Sequence, residues 1–250
     1  MKKFIALLSV LTLLVTAASY GDIYMKQKRH TNGLQMMGQT KPAEDTVDEI
    51  WITDSGLCNK NDKMTMIMLS NEKKMIMINH VDKTYTEMPM NIGEMLSKAT
   101  EGQGQGGQDL QGMMDNMMKM DVDVKTTSEK QKINNWNCEK YIVTINTFMG
   151  PITQTIWATE DIKADKKLYQ KFSMAMFSAM PGMQKSLQGI MAKMEQVKGV
   201  QVKSESTQNM MGTSVTTQTE LLEYKTKNAP ADLFQIPTGY TKKSMPRMGM

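Results

Sequence analysis

Met64-x-Met66-x-Met68, Met75-x-Met77, Met88-Pro-Met90 and Met245-x-x-Met248-x-Met250 place thioethers at spacings that soft-metal chemistry can use. Thioether sulfur suits Cu(I), and the C-terminal set, Met245, Met248 and Met250, needs no core to explain it. The strand-spaced sets have a plainer reading. The chain holds 29 Met against 5 Phe and 3 Trp, so Met can stand in for Leu as ordinary core filling. A flexible, polarizable side chain also repacks around apolar partners of different shape, which is the property of a lining for an apolar ligand.

The other reactive side chains are sparse. Cys58 and Cys138 are the only cysteines, and an even count in an oxidising compartment permits a disulfide. Such a bond closes a loop of about 80 residues and constrains the unfolded chain by about 4 kcal/mol in the loop-entropy picture. Two unbonded thiols are the equal alternative, and without a C-x-x-C pair neither is a redox centre. His30 and His80 have no Cys or carboxylate at zinc-ligand spacing and read as surface or satisfied residues. Asp121 with Asp123, Glu44 with Asp45, and Asp48 with Glu49 read as solvated acids. The sequence contains no phosphate-binding loop, no G-x-S-x-G and no H-E-x-x-H. No acid, base, nucleophile or metal set is assembled, so the expectation is a protein that is not an enzyme and carries no cofactor.

Two helical stripes would have to meet those methionines. From Asp165 to Gly199, Leu168, Phe172, Ala175, Met176, Ala179 and Met180 recur at helical spacing. Pro181-Gly182 breaks the run, and Met183, Leu187, Ile190, Met191, Met194 and Val197 resume it. Asp165 is the expected N-cap, and Gly199 sits where a left-handed residue ends a helix. Nearly everything else reads as strand: Asp22–Thr31 with Ile23 and Met25 inward, Thr46–Thr53, Met64–Leu69, Met75–Ile78, Thr84–Met88 and Asp121–Gln131. Hairpins follow at Asn137–Phe148 with Ile152–Thr159, and at Val200–Thr207 with Thr213–Lys225. Leu34–Asp45 reads as a loop. Short connections favour an antiparallel meander. Residues 94–120, with Gly102–Gln108 as a flexible linker, read as an insertion carrying Met113, Met114, Met117, Met118 and Met120. The expected class is α+β, a large curved antiparallel sheet with helices gathered on its concave face.

Residues 1–19 look like a secretory leader: Met1-Lys2-Lys3 is basic, Phe4–Val15 apolar, and Thr16-Ala17-Ala18-Ser19 small. No Cys follows closely enough for lipid modification, and no later run is long and apolar enough to span a membrane. The expectation is a periplasmic or extracellular protein. Cleavage after Ser19 leaves about 231 residues, 20–240 forming one domain and 241–250 a disordered tail. The net charge of +4 falls to about +2 without the leader, too weak to imply a nucleic-acid partner.

Trp136-Asn137-Cys138-Glu139-Lys140-Tyr141-Ile142-Val143, Thr155-Ile156-Trp157-Ala158-Thr159-Glu160-Asp161 and Pro230-Ala231-Asp232-Leu233-Phe234-Gln235-Ile236-Pro237-Thr238-Gly239-Tyr240 together resemble an uncharacterised family of secreted bacterial domains. The pattern is also similar to the LolA/LolB-like lipoprotein carriers. That resemblance implies a half-open curved sheet whose helices lid an apolar cavity holding acyl chains; no functional residue transfers from it. The lining expected here is Met66, Met68, Met75 and Met77 from the strands, with Leu168, Phe172, Met176, Met180, Met183, Leu187, Met191 and Met194 from the helices. The expected partner is an apolar small molecule or a lipid acyl chain. A Cu(I)-binding envelope protein and an interaction module with a solid core are the alternatives.

Overall fold

The computed structural model describes residues 21–36, 39–90, 121–147, 150–164, 168, 184–210 and 213–244. The expected leader at 1–19, the insertion at 94–120 and Met245–Met250 lie outside the described residues, as do Phe172, Met176, Met180 and Met183.

The described chain is mostly strand. In order the strands are β1 (Ile23–Thr31), β2 (Leu34–Met36), β3 (Gln39–Lys41), β4 (Glu44–Ile52), β5 (Gly56–Lys60), β6 (Met64–Leu69), β7 (Lys74–Asn79) and β8 (Thr84–Pro89). Then come β9 (Asp121–Ile133), β10 (Trp136–Thr147), β11 (Gly150–Thr159), helix α1 (Gln184–Met194), β12 (Val200–Met210), β13 (Thr213–Thr226) and β14 (Thr241–Lys242). Twelve strands form one open sheet in the order β14-β8-β7-β6-β5-β4-β1-β13-β12-β11-β10-β9, and β2 pairs only with β3. Every pairing in the large sheet is antiparallel except β14 with β8, where Thr241 and Lys242 run parallel to Thr84 and Tyr85. The segment read as the start of a disordered tail therefore closes one edge of the sheet.

β1 is the seam. Its neighbours are β4 and β13, so one meander from the first half of the chain and one from the second meet on it. The sheet rolls at the β9 end: Asn134, in the β9–β10 turn, donates to the Leu221 carbonyl at 3.1 Å and to Glu220 at 3.2 Å. β10 and β13 are three steps apart in the order. Across a flat sheet that is about 14 Å, so the contact requires the β9–β10 hairpin to fold back over β13. The order ends at β9 and β14 without joining them, so this is an open sheet and no closed barrel.

The expected balance of helix and sheet needs correction. Among the described residues, helices packed on a concave face are not seen. The helix α1 lies against β9, and its Ile190 joins Val122, Tyr141, Val143, Ile156 and Ala158 in one buried cluster. Periodicity identified an apolar stripe but carried no information on which strands cover it. Gly199 does adopt the expected left-handed backbone, with φ 85°. Leu34–Met36 and Gln39–Lys41, within the stretch read as loop, pair as β2 and β3, and Gly56–Lys60, not among the expected strands, is β5.

In the β4–β8 half, cross-strand partners share a face, and the register sorts the two faces completely. On one, Tyr24, Trp51, Cys58, Ile67 and Ile76 form a row. The C-terminal segment covers it with Leu233, Phe234, Ile236 and Tyr240. That segment is tied down at both ends. Ala229 N donates to Asp22 at 2.8 Å, and Tyr240 Oη meets His80 Nδ1 at 2.8 Å. The other face carries the methionines.

Candidate functional site: a methionine face with a polar end

Two rows run across this second face. Ile23, Ile52, Leu57, Met68, Met75 and Met88 are successive partners from β1 through β8. The next row is Met25, Ile50, Asn59, Met66, Met77 and Thr86. Period-two alternation puts Met64, Met66 and Met68 on one side of β6 and Met75 and Met77 on one side of β7, so the sequence spacing and the face are one fact. Met68 is buried; Met66 and Met75 are half-buried and pack with Met25, Ile50, Met90, Tyr224 and Leu168 on the Ile23–Ile52–Leu57 cluster.

Further along the same strands the face turns polar. Gln27 pairs with Asp48, Arg29 with Thr46 and Thr31 with Glu44. Asp48 is wholly buried. Its Oδ1 accepts from Arg29 Nη2 at 3.1 Å and from Asn61 Nδ2 at 2.8 Å. Its Oδ2 and the Asn59 Oδ1 are buried without a hydrogen-bond partner. Leaving a buried acceptor unpaired costs about 1–3 kcal/mol, so this cluster is retained against a stability penalty. Arg29 Nε also reaches Thr46 Oγ1 at 3.3 Å, and Lys63 Nζ meets Glu44 at 2.7 Å. Arg29, Thr46, Asn61, Lys63, Glu44 and Met64 line a hollow of about 320 Å³.

A second hollow, of about 490 Å³, opens near the β9–β10 edge, lined among others by Lys130, Lys132, Lys198, Glu139, Asp161 and Cys138. Its lining carries both signs of charge. Lys130 pairs with Glu139 at 2.9 Å, and Asp161 accepts from the Asn137 backbone at 2.7 Å.

The residues expected to line one cavity fall into separate places. Met66, Met68, Met75 and Leu168 share a cluster, with Met77 beside them on the same face. Met194 packs at the far end of the sheet with Tyr141 and Ile156, and Met191 is half-buried on the same helix. Leu187 lies on α1. Neither hollow is lined by any of these expected residues.

Cys58 and Cys138 are free, each buried in a different cluster, so the disulfide alternative falls. Burial is the chief reason the Cys58 thiol is pushed up to about 11, with Glu49 adding to it and Lys60 opposing. Burial likewise raises Cys138. Intact mass under denaturing alkylation without reductant is expected to show two adducts, and native protein at neutral pH none. A mass two daltons low and no alkylation would reverse this.

The histidines are committed. His30 meets Asp45 at 3.1 Å on the surface, and His80 lies between Thr65 Oγ1 at 2.7 Å and Tyr240. Asp121 and Asp123 are exposed. Among the described residues no group of His, Cys, Asp and Glu is placed to hold a metal. No described helix is long and apolar enough to cross a membrane. Arg29, Asp48 and Asn61 were missed from the sequence: Asp48 read as solvated, yet it lies two and four residues before the inward Ile50 and Ile52. Strand parity was the signal that could have found it.

These features define an open-sheet β protein with one face strapped by its own C-terminal segment and the other graded from methionine to charge. The chain belongs to a domain family of unknown function (DUF4412), which it matches over residues 49–240. No curated protein matches it. A solved structure of PNGF-II is similar at a TM-score of 0.36 and 13% identity, covering 90% of this chain. This chain spans only 31% of that one.

Proposed function

We propose that this is a non-enzymatic protein of the cell envelope that binds an apolar ligand, such as a lipid or a lipoprotein acyl chain, on its methionine face. One observation carries the reading: Met66, Met68, Met75, Met77 and Met88 share one face of three adjacent strands. Five flexible thioethers there form a surface that can repack around a chain, gaining about 25 cal/mol per Å² of apolar area removed from water. The leader-like residues 1–19 and the resemblance to LolA/LolB-like carriers, with their half-open sheet, support the same reading. On it, Leu168, packed on the Ile23–Ile52–Leu57 cluster, borders the ligand from outside the sheet.

Delipidated protein is expected to take up a fluorescent acyl probe, and protein from its own cell to carry lipid detectable by mass spectrometry. Met75→Lys or Met77→Lys is expected to weaken uptake about tenfold or more, because each sets a charge on the apolar face. Val81→Lys, in the exposed β7–β8 turn, is not. Absence of both uptake and native lipid, or uptake indifferent to the face variants, refutes the reading.

The register also favours a second reading. Met68, Met75 and Met88 are direct neighbours across β6, β7 and β8, and such partners sit about 5 Å apart at Cβ, close enough for three thioethers to converge on Cu(I). Titration with Cu(I) against a chelator, on full-length protein, Met88→Leu and a chain lacking Met245–Met250, separates this site from the C-terminal one and both from lipid binding.

A further inference from the structure

We propose that the polar end of the methionine face is a head-group site, where Arg29 and Lys63 hold the oxyanion of an amphiphile whose chain lies along Met64, Met66 and Met68. The inference rests on the carrier reading and adds polarity and direction to it. Four observations lead there.

First, the site and the apolar rows are continuous. Met64 lines the hollow, and Met66 and Met68 follow it on the same side of β6 into the Ile52–Leu57 cluster. From Met64 to Met68 the strand advances about 14 Å, a useful length of acyl chain. Second, the two cations that line the hollow keep donor capacity to spare. Arg29 commits Nε to Thr46 and Nη2 to Asp48, which leaves Nη1; Lys63 commits one hydrogen to Glu44 and has two more. Donors in surplus call for an acceptor-rich ligand, and a planar guanidinium beside an ammonium suits a carboxylate or a phosphate.

Third, the guanidinium is held in place. Asp48 is fully buried and Asn61 bonds the same carboxylate oxygen, so Arg29 is fixed from behind while its own side chain stays 38% exposed. Fourth, Glu44 is the acid in the hollow and it already sits on Lys63. A ligand oxyanion shares Lys63 with Glu44 or displaces it toward water, because both side chains of that pair are part-exposed, at 52% and 33%.

The test uses the delipidated full chain and three probes with one pyrene-labelled sixteen-carbon tail: a carboxylic acid, a phosphate monoester and an alcohol. On the native sequence at low salt, at least one of the two anionic probes is expected to bind about tenfold tighter than the alcohol, the preference shrinking as salt is raised. The tighter of the two names the head group. Lys63→Gln, at an exposed position, and Arg29→Lys, which keeps a cation for Asp48 but lacks the fork, are each expected to reduce the ratio of anionic to alcohol affinity severalfold. Equal affinity for all three probes overturns the head-group site and leaves the carrier reading standing. A preference that survives in both variants overturns its assignment to Arg29 and Lys63. Failure of every probe to bind overturns the carrier reading, and this one with it.

Discussion

Gly199→Ala is expected to lower the free energy of unfolding by about 3 kcal/mol or more, read as a fall in the urea midpoint at unchanged slope. Gly199 joins α1 to β12 with φ 85°, a backbone that a residue with a Cβ adopts at a cost. Its neighbour makes the cost larger. A Cβ there would overlap the Thr159 carbonyl oxygen, and the atoms that would have to yield are backbone of β11 and the residue after it. A built-in comparison comes from Gly189, on the exposed side of α1, where an added Cβ meets nothing within 4 Å. Gly189→Ala is expected to stabilise by about 0.5–1 kcal/mol, since the unfolded chain loses freedom and the helix loses nothing. Equal effects from the two substitutions would show that the β11–β12 approach is looser than described.

Arg29→Met is expected to cost about 3 kcal/mol, because it leaves the buried Asp48 carboxylate with Asn61 as its only described donor. The lower end of the range for a broken buried pair is appropriate, since the Arg29 side chain is part-exposed and water can reach its place. Arg29→Met with Asp48→Leu is expected to recover most of that loss, for the double variant buries no charge on a face whose neighbours are Ile50 and Met25. If the single variant is neutral, Asp48 is not held by Arg29. If the double variant is as unstable as the single one, the polar cluster supports the fold by its shape and the stability penalty inferred for it is wrong.

Both substitutions concern features that the sequence revealed unequally. Gly199 was legible because a helix stripe ends at Val197 and a strand follows at once, so one residue had to turn the chain. The Arg29–Asp48 pair was hidden. Charged residues on strands read as solvated because most are, and Lys26, Lys28 and His30 on the opposite parity of β1 are indeed only half-buried at most. Burial of Asp48 became visible only once Gln27 and Arg29 from β1, Asp48 from β4 and Asn61 from the β5–β6 turn were placed side by side. The methionine sets were legible as strands and as faces, since period two fixes both together.

The amino-acid sequence by itself determined the strand-rich character, most strand positions, the inward parity of Ile23, Met25 and the β6–β7 methionines, and the left-handed turn at Gly199. All of these are local, set by period and by backbone freedom within a few residues. Tertiary structure decided what lies against what: that β1 seats between β4 and β13, that α1 covers β9 and not the methionine strands, that Cys58 and Cys138 stay apart, and that one end of the methionine face is charged. Pairings between residues some 200 positions apart, such as Ile23 with Thr226, leave no periodic trace in the chain, because each partner's own pattern is satisfied by any apolar neighbour of the right face.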